Sequence, residues 1–227
     1  MNLSLITQNG GFFLQAGITA LEIFGASVFF STLIAVTCGT LATLRAAPVR
    51  APVRIVIEFF RDVPQIVSVF FIFFGAPAFG LQLGPLAATI LALSLWGGAN
   101  GAEIVRGGIT AVSHHQFESA RSLGLGPVAI FTSIILPQAV MPVIPAYAGL
   151  CNILMHSTSL AALIGVVELL KSAQIVIDRA SYYQGGAPGL TVYGFILLIY
   201  YIAGLLMSAA ISWLEQRFGQ SRAEQRF

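Results

Sequence analysis

Charge is scarce in this chain of 227 residues. Lys, Arg, Asp and Glu together make up 9% of it, against about a quarter in a soluble domain. No segment is polar enough to fold as an aqueous domain of any size. Cysteine is almost absent: Cys38 and Cys151 both sit in apolar surroundings and read as small buried hydrophobes, not as a disulfide or metal pair. No basic region precedes the first apolar run, since the first ionisable side chain is Glu22. That run therefore reads as a retained span and not as a cleaved leader. No G-x-x-x-x-G-K-[ST] phosphate loop occurs, so ATP hydrolysis is not expected of this chain. No G-x-S-x-G elbow or H-E-x-x-H pair occurs either, and no catalytic residue is assigned. His114 and His115 are adjacent and would leave a helix on different faces, so no metal site is expected. The arginines form no patch, which argues against nucleic acid as a partner.

What is present is hydrophobicity, at 57% of residues with a mean hydropathy of +0.87. The chain reads as an all-α integral membrane protein with five transmembrane spans over residues 12–214: 12–44, 63–78, 86–105, 127–150 and 190–214. Residues 1–11 read as a short uncharged tail, and residues 215–227 as a cytoplasmic tail. Gly17, Gly25 and Gly39 allow close helix packing in the first span. Glu22 marks a functional site by the default rule for intramembrane carboxylates; near the outer end of its span it reads instead as reaching the interface. Residues 45–54 hold three arginines and two prolines and read as a turn on the charged side. Glu58, Arg61 and Asp62 share one face at the start of the next helix. Pro137, Pro142 and Pro145 are expected to break the fourth span, which sets it beside a water-filled pathway. Residues 160–170 are apolar but only half a span long, a pattern that points to a polar solute near the membrane midplane. Residues 171–188 read as an outer loop, with room for a short amphipathic helix.

The longest polar interruption is 103–137, between the third and fourth spans. Ser113 is placed to cap a short helix and Gln116, three residues on, to complete a capping box. Glu118 lies near the positive end of that helix. Gly124 supplies the residue past its end, with Leu125 closing the cap, and Pro127 suits the first turn of the next helix. Helix, tight turn, helix is the expected shape over 113–124 and beyond. It is too short and too polar to cross a bilayer, and it is built to be gripped by another protein.

This stretch resembles the EAA loop of the membrane subunits of bacterial ABC importers, the polar amino-acid permeases in particular. The resemblance rests on Ala102-Glu103-Ile104, Arg106-Gly107-Gly108-Ile109, Gln116, Glu118-Ser119-Ala120, Leu123-Gly124 and Leu136-Pro137-Gln138-Ala139. Arg61, Pro64 and Gly75 match a second family stretch, from which Asp62 and Val63 depart. Residues 152–160 resemble a third, N-x-x-l-K-d-T-S-L, with His156 in place of its Lys and Ser157 in place of its Asp. Asn100 stands where the family usually has an aromatic residue. Ser157 or Thr158 could equally cap a helix start at this third stretch.

The resemblance implies the type I importer fold with a cytoplasmic EAA coupling helix. Gln116, Glu118, Ser119, Ala120, Arg121 and Gly124 would then engage a cytoplasmic ATPase dimer. That ATPase, not this chain, would bind ATP and Mg. The solute implied is a polar amino acid or an opine-like derivative, handed over by a periplasmic binding protein. Asn100, Asn152, His156, Ser157, Thr158 and Ser159 are the candidate pathway residues, and a second permease subunit would complete the pathway in the lipid bilayer. Charge counting agrees on orientation. Nine arginines fall on one side of the spans and Lys171 and Arg179 on the other, which puts the N-terminus outside and the C-terminus in the cytoplasm of a bacterial inner membrane. Three other readings exist: an ion-coupled secondary transporter using Glu22 or Glu103, a membrane hydrolase using His156 with a serine, and a purely structural subunit. The first lacks an internal repeat and enough intramembrane charge. The second lacks an oxyanion hole and a base orienter, and the third leaves the proline-rich fourth span unexplained.

Overall fold

The computed structural model describes residues 3–184 and 188–224. Among these residues there is no strand. The helices are α1 (Leu3–Gln8), α2 (Gly10–Leu41), α3 (Ala47–Asp62), α4 (Gln65–Gly75), α5 (Pro85–Thr110), α6 (His114–Ser122), α7 (Pro127–Ile130), α8 (Leu136–Ser157), α9 (Leu169–Gln184) and α10 (Gly189–Glu224). A 3₁₀ turn, Ala76–Phe79, extends α4; a π segment, Phe131–Ile135, joins α7 to α8; a second 3₁₀ stretch, Thr158–Ile164, follows α8. Three helical runs are long and apolar enough to cross a membrane: Gly10–Leu41, Pro127–Ile164 and Gly189–Leu214.

Several boundaries depart from the sequence-based expectation, each for a local reason. Of the tail expected over 1–11, Leu3–Gln8 form α1. Residues 45–54 are not simply a turn, because most of them lie in α3. Pro48 sits in its first turn, where no N–H is required, and Pro52 falls only one turn later, at an exposed position. α3 leaves Ile55, Val56 and Phe59 exposed on one side while Ile57 is buried. The fourth span is not broken at Pro142 or Pro145, which lie inside a continuous α8. The departure comes earlier, in the π segment just before Pro137, where a wider turn accommodates a residue without an N–H. Residues 171–184 belong to the sixteen-residue helix α9 and not to a loop; of the loop expected over 171–188, residues 185–187 lie outside the described set. α10 runs on through the expected tail to Glu224, and residues 225–227 also lie outside the described set.

The chain divides into two compact units, the first holding the described residues of Met1–Phe29, Pro64–Ser94 and Asn152–Met207. In this unit the start of α2 packs on α9 and α10. Phe13, Ala16 and Ala20 meet Leu169, Ala173 and Val176, with Val192 and Ile196 closing the core. The Phe13 and Phe195 rings meet edge to face, with centroids 5.4 Å apart.

The second unit comprises Phe30–Val63, Leu95–Cys151 and the described residues of Ser208–Phe227. Here small residues let α2, α5 and α8 approach closely. A methyl on Gly39 would lie 2.6 Å from the carbonyl oxygen of Ala102, and one on Gly108 would lie 2.4 Å from Val143. The Thr32 and Tyr147 hydroxyls bond across this contact at 2.9 Å. Of the three glycines singled out in the first span, only Gly39 makes such an approach; nothing lies within 4 Å of a methyl at Gly25. Gly39→Ala should therefore destabilise the detergent-solubilised chain by about 1–3 kcal/mol. Gly25→Ala should be neutral or better by up to about 1 kcal/mol, because alanine favours the helix. Thermal denaturation of the two variants side by side checks this.

Candidate functional site

Two clusters carry the residues marked in the sequence. The first is α6, in the second unit. Ser113 precedes it in extended backbone, but its side chain makes no capping bond; the N–H of Gln116 donates to the Ser113 carbonyl at 3.0 Å instead. The first-turn donors are open to water, so the expected capping box is not needed. The other end is as expected. Gly124 has φ +78°, the Leu125 N–H donates to the Ala120 carbonyl at 3.2 Å and the Gly124 N–H to that of Arg121 at 3.0 Å, the pattern of a left-handed cap. Gln116, Glu118, Ser119 and Arg121 all face outward. Ala120 alone is turned inside, 2% exposed, on the side where α6 packs against α7 and the π segment. Its small size therefore serves packing within the chain. The Glu118 carboxylate lies 3.2 Å from Nδ1 of His114 and 3.7 Å from that of His115. The Arg45 guanidinium rests on the Phe117 ring, 5.5 Å from its centroid, and ties the end of α2 to α6. On α5, Arg106 forks onto Glu103, its Nε donating to Oε2 at 2.8 Å.

The second cluster closes α8, in the first unit. Asn152, His156, Ser157, Thr158 and Ser159 fall on two turns of one helix end. Ser157 Oγ lies 2.6 Å from Gln65 Oε1 and 2.9 Å from the Ile153 carbonyl, with one proton to share between them. The Thr158 hydroxyl donates to the Met155 carbonyl at 2.8 Å, and that of Ser159 to the His156 carbonyl at 2.9 Å. Neither Ser157 nor Thr158 caps a helix start; both bond backward into the turn they end. Asn152 Oδ1 is buried with no protein partner, a free acceptor. His156 is exposed and lies along α10, at Gly204, with its ring centroid 6.1 Å from that of Tyr200. Asn100 belongs to the other unit, where its Nδ2 donates to the Trp96 carbonyl at 2.9 Å.

Sequence reasoning gave no site role to three residues here: Gln65, Glu168 and Tyr200, the last of which reads from the sequence as an interfacial tyrosine of the final span. Glu168 is fully buried just beyond Gly165, where the chain turns with φ +91°. Its carboxylate accepts the N–H of Leu170 at 2.9 Å, the N–H of Lys171 at 2.8 Å and the Tyr200 hydroxyl at 3.1 Å. Thr158 Oγ1 in turn stands 3.4 Å from the Tyr200 oxygen. The signal was a lone acid in the apolar stretch 160–170, which the rule for intramembrane ionisable groups should have flagged. Glu22 stands exposed in the first half of α2. Among the described residues no three His, Cys, Asp or Glu side chains gather where a metal ion could be held.

Over residues 28–220 the chain matches the family of binding-protein-dependent transport system inner membrane components. The chain belongs to this family. Relatives agree along most of the length. The probable amino-acid ABC transporter permease protein y4tG of Sinorhizobium fredii is 33% identical over 84% of this chain and 81% of its own. The probable glutamine ABC transporter permease protein GlnP of Bacillus subtilis is 29% identical over 84% of this chain and 86% of its own. A crystal structure of an amino acid ABC transporter with histidines superimposes on 96% of this chain and 99% of its own, at 25% identity and TM-score 0.85. The inward-facing MetNI methionine ABC transporter covers 91% of this chain and 96% of its own at TM-score 0.72 and 22% identity, a likeness of fold alone. The chain is thus a membrane permease component with the helical fold of that class.

Proposed function

We propose that this chain is the membrane-spanning permease subunit of an ATP-driven importer for a polar amino acid or an opine-like derivative. A cytoplasmic ATPase dimer, holding ATP and Mg, grips α6 through Gln116, Glu118 and Ser119. A periplasmic binding protein delivers the solute, and a second permease subunit, identical or homologous, completes the pathway. Five spans leave the N-terminus periplasmic and the C-terminus cytoplasmic.

The observation that carries this reading is the form of α6. It is a nine-residue polar helix, closed by a left-handed glycine and fastened inward through Ala120 and the half-buried Phe117, with its polar side chains open. Such an element transmits a push as a rigid body. ATP-driven closure of the ATPases would drag α6 and, with it, the ends of α5 and α7. The second cluster supplies what a polar solute needs: a free acceptor on Asn152 and a hydroxyl–amide pair at Ser157 and Gln65. Asn100, His156, Thr158 and Ser159 complete the proposed lining.

Reconstitution with a cognate ATPase and binding protein tests the assignment. Uptake into proteoliposomes should require ATP on the ATPase side and survive collapse of proton and sodium gradients. Uptake that needs no ATP and stops with an ionophore would assign the chain to ion-coupled transport.

A further inference from the structure

We propose that the groove between the end of α2 and the start of α7 is a binding site for one anionic phospholipid. The groove has a volume of about 730 Å³, within the range of roughly 300–1,000 Å³ typical of ligand clefts. Two of its walls are ends of membrane-length helices: Thr40, Thr43 and Leu44 finish the α2 side, and Val128 and Phe131 begin the run Pro127–Ile164. A groove so placed opens where two spans leave the hydrocarbon, the depth at which lipid headgroups lie.

Its chemistry is divided. Arg45 and Arg121 both line it, and the ion pairs found among the described residues use other cations. Arg45 stands over the Phe117 ring with its guanidinium carbon 5.5 Å from the centroid, and a guanidinium offers a fork of N–H donors suited to a phosphate. The remaining wall is apolar, and Leu125 and Val128 on it are 40% and 76% exposed. Two guanidinium groups without an acidic partner among the described residues, above an exposed apolar wall, match a molecule with an anionic head and hydrocarbon tails. A carboxylate from a protein partner would satisfy the cations but leave that wall wet. Basic pockets between span ends are a recurring place for such headgroups. This site does not rest on the importer reading, because it needs only the chain in a membrane.

The test is native mass spectrometry of the protein purified with its accompanying subunits, stripped of lipid and titrated separately with phosphatidylglycerol, phosphatidylcholine and glycerol 3-phosphate. One phosphatidylglycerol per chain should be retained about thirtyfold better than phosphatidylcholine, as two basic contacts of about 1 kcal/mol each allow. Glycerol 3-phosphate, which lacks the tails, should not compete. The double variant Arg45→Gln with Arg121→Gln should lose that preference, while Arg45→Lys with Arg121→Lys should keep most of it. Equal retention of both phospholipids by the wild type overturns the proposal whatever the variants do. So does unchanged retention in the Gln pair, competition by glycerol 3-phosphate, or a lipid found only when the ATPase is absent, which would give the groove to the ATPase. Failure of ATP-driven uptake would bear on the importer assignment and leave this readout untouched.

Discussion

Ala120→Leu should abolish uptake, by about a hundredfold or more, while the chain still inserts and still meets its ATPase. The residue is 2% exposed, on the side where α6 packs against α7 and the π segment. Three added carbons on this buried side press on its neighbours, and overpacking costs about 1–3 kcal/mol. α6 has an inexpensive way to relieve that strain: it is short, polar and open to water on its other faces, so it lifts or rotates off its seat and need not unfold the spans. A lever detached from its seat no longer moves the pathway. ATP hydrolysis should therefore continue at or above its basal rate without stimulation by loaded binding protein, and the ratio of solute moved to ATP spent should collapse. Gly124→Val should behave alike for a different reason, because φ +78° is a costly conformation for a β-branched residue. Ala120→Ser adds a single oxygen and should keep most of the transport. Coupled uptake in the Leu variant at the wild-type ratio would remove α6 from the transmission.

The contrast between α6 and the rest of the chain shows which features a sequence can reveal. Gly124 and Pro127 were legible because caps are local: a left-handed residue and an N-terminal proline act on their own neighbours. The membrane character was legible because burial in lipid is a property of composition. Prolines were misleading in both directions. In the stretch 45–54 they suggested a turn, yet Pro48 falls in the first turn of α3, where its missing N–H is no loss, and Pro52 is carried inside the helix at an exposed position. In the fourth span they suggested breaks at three places, while the chain gathers the irregularity into one π segment ahead of Pro137. The role of Ala120 was half legible. The motif marked Ala120 for docking to a partner, but its burial within the chain depends on α7 and the π segment, which only the fold brings to it. Glu168 was the real omission. Its partners are two N–H groups of a helix that had been read as a loop, and a tyrosine 32 residues further on. No local pattern pairs those groups.

That omission carries the second large effect. Glu168→Ala should destabilise the protein by about 2–4 kcal/mol, because it removes the buried acceptor shared by two half-buried backbone N–H groups and the Tyr200 hydroxyl. The consequence reaches beyond stability. The carboxylate fixes the start of α9 to α10 through Tyr200, whose oxygen stands 3.4 Å from Thr158 in the proposed solute segment. Loosening this joint frees the end of α8 that holds Asn152 and Ser157. Smaller changes separate the two roles. Glu168→Asp keeps a short acceptor for the helix start but withdraws from Tyr200, whereas Tyr200→Phe removes only the clamp. If the joint positions the pathway, both should fold with nearly wild-type thermal stability yet raise the KM for uptake several-fold, with basal ATP hydrolysis unchanged. If Glu168 only caps α9, both variants will transport normally and the Ala variant alone will fail. Substrate titration of uptake beside thermal denaturation, on the three variants together, decides between a cap and a joint.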